Sequence, residues 1–143
     1  MSVRFVLLTL VAALLVFGTN LAVSAQPAPP AHVIKVSMTS YKYDPDILTF
    51  NAGEKVVLQL SNDDPENRAH SLGSPYWSAV KFTITGDAKQ GVAKDGWTYI
   101  QLDAGKKTEI TFVVAGRGQY DFLCELYNHA SRGQTGQIIV LNK

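Results

Sequence analysis

Cys124 is followed five residues later by His129 and ten residues later by Gln134, and another histidine, His70, lies far upstream. One soft thiolate, two imidazoles and a weak fourth donor suit an ion that shuttles between two oxidation states, in a geometry neither state strongly prefers. That ion is copper. Cys124, His129 and His70 would supply the strong donors, and Gln134 could supply the fourth.

Each residue also has a plainer reading. Cys124 is the single cysteine, so no internal disulfide can form. It could be a small buried apolar residue. An unpaired thiol in an oxidising compartment is open to exchange, however, and a metal-bound thiolate explains it better once His129 sits at matching spacing. His129 alone would read as a surface residue. His70 follows Asn62-Asp63-Asp64-Pro65-Glu66-Asn67, a turn-rich polar stretch in which histidine is usually just solvated. The remaining histidine, His32, sits at the N-terminal edge of the folded part. Gln134 follows Gly133 and could face solvent. Beyond residue 25 the only methionine is Met38, so the ligand loop offers no thioether, and Gln134 becomes the default axial donor. The Ala69 carbonyl is an alternative from the opposite side. Asp63, Asp64 and Glu66 lack the spaced calcium loop and its closing glutamate, and read as a solvated turn. Cys124 with His129 could also be a nucleophile and its base, but two such residues on one tight loop more often serve one metal.

Elements must bring these donors together. Strand signals run over 33–40, 54–60, 108–114, 119–123 and 137–141, as alternating or β-rich stretches. Asn51-Ala52-Gly53, Asp103-Ala104-Gly105 and Gly116-Arg117-Gly118 punctuate them. The pattern predicts an all-β Greek-key sandwich, expected to be antiparallel. Residues 72–96 are the least legible and read as loops with one short strand over 82–85. Cys124 would end one strand and Gln134 would precede the next, so that the loop between them carries three of the donors.

The segment from Tyr120 to Val140 resembles the C-terminal ligand loop and closing strand of the cupredoxins, the type 1 blue copper proteins. Gly133-Gln134-Thr135-Gly136-Gln137-Ile138-Ile139-Val140 is similar to the closing segment of plastocyanin and rusticyanin, with glutamine where those have the axial methionine, as in the stellacyanin group. Tyr43-x-Pro45-x-Ile47 with Phe50 and Gly53, then Val56-Val57-Leu58, resembles the early strands of the family. Thr108-Glu109-Ile110-Thr111-Phe112 and Gly118-Gln119-Tyr120 resemble the strand and turn that deliver the cysteine. The loop departs at Glu125-Leu126-Tyr127-Asn128, where the family commonly has a Pro-Gly pair. The resemblance implies a cupredoxin-like sandwich holding one type 1 copper ion on His70, Cys124, His129 and Gln134. Ser71, next to His70, resembles the rusticyanin serine, and there it could tie the two ligand loops together. The resemblance also places the His129 edge at the surface as an electron port, ringed by Leu72, Leu126, Tyr127 and Ala130.

The chain opens with Arg4, an apolar run from Phe5 to Gly18, and Val23-Ser24-Ala25 before Gln26. This reads as a signal peptide over 1–25. An uncleaved anchor is the alternative, although the run is short for a span of about 20 residues. Residues 26–31 read as a Pro-rich leader, and 32–143 as one cupredoxin domain. Loss of Arg4 takes the formal net charge from +1 to zero, and no basic patch suggests nucleic acid. The expectation is an exported monomer, periplasmic or extracellular, with no membrane span once the signal is removed. It would carry single electrons between redox partners such as a cytochrome or an oxidase and catalyse no substrate chemistry. The alternative is periplasmic copper binding and delivery outside any redox circuit.

Overall fold

The computed structural model describes residues 30–142. The signal peptide and most of the Pro-rich leader expected from the sequence lie outside the described residues. Eleven strands follow in order: β1 (His32–Thr39), β2 (Lys42–Asp44), β3 (Ile47–Asn51), β4 (Lys55–Asn62), β5 (His70–Ser74), β6 (Phe82–Gly86), β7 (Lys89–Val92), β8 (Thr98–Leu102), β9 (Lys107–Val113), β10 (Gly118–Leu123) and β11 (Thr135–Leu141). Two short 3-10 turns, Pro75–Ser78 and Ala130–Arg132, interrupt them.

The strands form a five-stranded sheet in the order β2-β1-β4-β9-β6 and a six-stranded sheet in the order β3-β11-β10-β5-β8-β7. The all-β sandwich expected from the sequence is present. Its sheets are mixed rather than purely antiparallel, because β1 runs parallel to β4 and β3 runs parallel to β11. Those pairings arise because the chain leaves the first sheet after β2, places β3 in the second, and returns for β4.

Period-2 patterning decides which side chains enter the core. In β4 the buried residues are Val56, Leu58, Leu60 and Asn62, and the neighbouring strand β9 supplies Thr108, Ile110 and Phe112. From the other sheet Leu48, Phe50, Phe122, Ile138 and Val140 point inward. Phe50 meets Phe112 edge-on with ring centroids 5.6 Å apart, a favoured aromatic geometry that locks one sheet to the other.

β5 differs from the rest in being buried along its whole length. It lies between β10 and β8, pairing Leu123 with Gly73 and His70 with Leu102. This central placement puts His70 beside the end of β10, where Cys124 emerges. Leu72 packs in the core with no exposure, so it cannot ring a surface port as the sequence reading expected. Its partner across the ladder is Ile100, another core residue.

Candidate metal centre

The C-terminal loop is shaped by its own backbone. The Cys124 N–H donates to the Gln134 carbonyl at 3.1 Å, and the Gln134 N–H to the His129 carbonyl at 3.2 Å. Between them the turn over Ala130–Arg132 ends at Gly133, whose φ of 102° is left-handed, a conformation that glycine adopts without the cost a Cβ imposes. These bonds fix the entry to β11 before any side chain is considered.

The loop brings the expected donors to one place. One donor atom each from His70, Cys124 and His129 lies within 4.8 Å of the others, and all three residues are buried. Cys124 Sγ is 3.4 Å from His129 Nδ1. The rings of His70 and His129 sit 4.9 Å apart, centroid to centroid. Gln134 has no exposure, against the reading that would leave it in solvent, and its Oε1 is 2.8 Å from His70 Nδ1. Its Nε2 is buried without a partner. The described structure thus gathers all four residues named from the sequence.

Ser71 ties the ligand strands together, as the resemblance implied. Its backbone N–H donates to Cys124 Sγ at 3.4 Å, its hydroxyl lies 3.6 Å from the same sulfur, and its Oγ accepts the Glu125 N–H at 2.9 Å. The Tyr43 phenol donates to the Ser71 carbonyl at 2.5 Å. Glu125 turns its carboxyl inward, with Oε1 buried and unpaired; burial, then the Asp95 charge, pushes its pKa up.

Sequence reasoning misread Asp64, which is no part of a solvated turn. Its side chain has no exposure, and its Oδ2 accepts from His70 Nε2 at 2.5 Å. Oδ1 accepts the Glu66 N–H at 2.7 Å, and Ser40 Oγ donates to Oδ2. The stretch turns inward because Asn62, buried at the end of β4, accepts the Asp64 N–H at 3.1 Å and donates to the carbonyls of Arg68 at 2.8 Å and Leu102 at 3.0 Å. Burial alone would raise the Asp64 pKa; the hydrogen bonds from Ser40, His70 and the Glu66 backbone outweigh it and hold the carboxyl at about 2. An acid six residues before a candidate histidine was the available signal.

The electrostatics fit a cation at His70 Nδ1. Burial opposes charge on His70, yet its contacts with Cys124, Asp64 and Gln134 raise its pKa. Burial likewise opposes the Cys124 thiolate, and donors from His70, Leu126 and Ser71 lower its pKa. A proton on Nδ1 therefore faces an amide oxygen and a thiolate, with a carboxylate behind the ring. A soft cation that binds imidazole and thiolate satisfies the same acceptors in place of that proton.

His129 itself is only 4% exposed, and what it shows lines an open surface hollow with Tyr41, Arg68 and Tyr127. Tyr41 covers it at 5.0 Å and Tyr127 at 5.6 Å between ring centroids. Tyr127 is 91% exposed and has a left-handed φ of 53°, while the Arg132 guanidinium lies 4.8 Å over the Tyr41 ring. Burial, followed by the charges of His70, Arg68 and Arg132, lowers the His129 pKa, which favours the neutral imidazole a metal requires.

Residues 7–140 match the family model for the cupredoxin-like domain. No curated protein matches the sequence. Among solved structures, auracyanin B superposes with a TM-score of 0.59 at 17% identity, over 81% of this chain and 93% of its own. Auracyanin A, a "blue" copper protein from the green thermophilic photosynthetic bacterium Chloroflexus aurantiacus, gives 0.55 at 14%, over 78% and 100%. A multicopper oxidase from Campylobacter jejuni gives 0.60 at 10%, over 84% of this chain but 32% of its own. At these identities the likeness concerns the fold.

Proposed function

The chain belongs to the cupredoxin-like domain family, and from that premise we propose that it is an exported type 1 copper protein that carries one electron at a time between redox partners. The observation that carries the reading is the buried convergence of His70, Cys124 and His129, with Gln134 Oε1 2.8 Å from His70 Nδ1. Copper supplies one-electron chemistry between its two oxidation states when bound to such donors. His70, Cys124 and His129 would be the strong ligands and Gln134 the weak axial one. The two sheets hold these residues on strand ends and on a loop closed by backbone hydrogen bonds, which keeps their positions alike in both states and so keeps reorganisation small.

Carriage is favoured over catalysis because Gln134, as a fourth ligand, would leave the metal no open position for a substrate. The path to a partner runs on the His129 side, where Tyr41 and Tyr127 overlie the imidazole. The opening Arg4 and apolar run support export by a cleaved signal, with residues 32–143 as the single domain.

Adding Cu(II) to residues 26–143 tests the reading directly. One equivalent should give an intense visible band from thiolate-to-copper charge transfer, and Cys124→Ser should abolish it while the sandwich stays folded. A colourless copper complex, or colour surviving that substitution, would overturn it. Rapid loss of the band to a mild chelator would favour copper delivery instead.

A further inference from the structure

We propose that Asp64 is a positioning residue for the metal centre: its buried carboxylate holds the Nε2–H of His70, presents Nδ1 to Cys124 and Gln134, and biases bound copper toward Cu(II). The inference rests on the copper reading above and assigns a role to a residue outside the donor set.

The geometry carries it. Imidazole has two nitrogens, and whichever is engaged by an outer partner leaves the other for the metal. In His70 the outer partner is Asp64 Oδ2 at 2.5 Å from Nε2, and the inner face is Nδ1 at 2.8 Å from Gln134 Oε1. The carboxylate is itself fixed. Ser40 Oγ donates to Oδ2, the Glu66 N–H donates to Oδ1 at 2.7 Å, and Arg68 Nη1 reaches Ser40 Oγ at 3.1 Å. A carboxylate that accepts several hydrogen bonds keeps its charge even when buried, so Asp64 brings a full negative charge to the back of the ring.

A neutral acceptor, such as a backbone carbonyl or an asparagine, would orient His70 equally well. The carboxylate adds two things: it makes the imidazole a stronger donor, and its charge, away from bulk water, favours the more positive copper state. Removing the charge while keeping the shape should separate orientation from electrostatics.

Asp64→Asn retains an oxygen that can accept from Nε2, whereas Asp64→Ala removes the acceptor. Copper-loaded Asp64→Asn should keep the visible band and show a higher reduction potential, by at least a tenfold shift in the Cu(II)/Cu(I) balance, about 59 mV for a one-electron couple. Asp64→Ala should also shift the spectrum, because His70 loses its outer anchor. A readout without copper comes from ring-nitrogen NMR of the metal-free protein: His70 Nε2 should be protonated in wild type and in Asp64→Asn, and lose that fixed state in Asp64→Ala. Wild-type potential in a blue Asp64→Asn protein, or an Nε2 not protonated in wild type, would overturn the inference. A wild type that binds copper without colour would sink the copper reading instead, while the NMR result would still report on the Asp64–His70 contact.

Discussion

Ser71→Ala tests whether one hydroxyl joins the two ligand-bearing strands. Ser71 Oγ accepts the Glu125 N–H at 2.9 Å in a part-buried setting and lies 3.6 Å from Cys124 Sγ. Alanine fills nearly the same space, so the packing loss is small. The main cost is that the Glu125 N–H loses its partner where water has little access, about 1–3 kcal/mol for a buried donor left unsatisfied. Taking about 2 kcal/mol, and about 4 °C per kcal/mol for a domain of this size, the melting temperature should fall by about 8 °C. The assay is thermal and urea unfolding of the copper-free protein, which keeps ligand binding out of the measurement, together with amide exchange at Glu125. In the copper-loaded protein the same change strips a donor from the sulfur, which concentrates charge on the thiolate and should lower the reduction potential. A stability within about 0.5 kcal/mol of wild type, with Glu125 exchanging no faster, would show that the strands are held together without Ser71.

Three further outcomes are expected. Gln134→Met should raise the reduction potential, since a thioether is a softer donor than an amide oxygen and discriminates less in favour of Cu(II); voltammetry and visible spectra that both stay unchanged would mean that Gln134 does not touch the metal. Asp63 has a pKa lowered from 3.8, first by the Ser61 hydroxyl and then by Ser37, so the stability it contributes is complete above its unfolded value and drains as the pH falls through its lower folded value. Asp63→Asn should therefore flatten the pH dependence of the urea midpoint as the pH falls below about 4, and an unchanged slope would remove Asp63 from the account. Mass spectrometry of the exported protein should find Gln26 at or near its N-terminus, whereas an intact N-terminus in the membrane fraction would favour an anchor.

The parts of the fold legible in the sequence were those with one wet face. β4, β9, β10 and β11 border the core on one side, so solvent imposes alternation on them and the pattern is visible in the chain. β5 gave no such signal. His70-Ser71-Leu72-Gly73-Ser74 is buried at every position, and its polar residues are there for the site: His70 meets Asp64 and Gln134, Ser71 holds Glu125, and Ser74 donates to the Asp121 carbonyl at 2.7 Å. A strand chosen for its hydrogen bonds reads as a loop. β7 was hidden by Gly91, where an added Cβ would lie 2.4 Å from the Tyr99 ring, so close packing put a turn residue into a strand. The ligand loop was legible because three of its residues are near in sequence. Asp64 was not, because composition reports that a stretch is polar and cannot report which of several acids folds inward.

The groups around the sulfur and those around His70 pull the potential in opposite directions, and their charges indicate which prevails. The Ser71 N–H and hydroxyl face Cys124 Sγ; as neutral donors to a thiolate they draw charge from the sulfur and favour Cu(I). Gln134 as a ligand would supply a hard oxygen, and Asp64 would place a formal negative charge one imidazole away from the copper; both would favour Cu(II). A hydrogen bond from a neutral dipole falls off faster with distance than the field of a charge, and the burial of Asp64 keeps water from screening that field. The site should therefore lie on the oxidised side of a methionine-ligated equivalent without a buried acid. The double variant Asp64→Asn with Gln134→Met carries the argument to its end. Carboxylate and amide meet different atoms, Nε2 and Nδ1 of His70, but share that ring, so the departure of the double variant from the sum of the two single shifts measures their coupling through His70. A double variant that shifts no further than either single change would mean that Asp64 acts only by placing His70 against Gln134, with no electrostatic effect of its own.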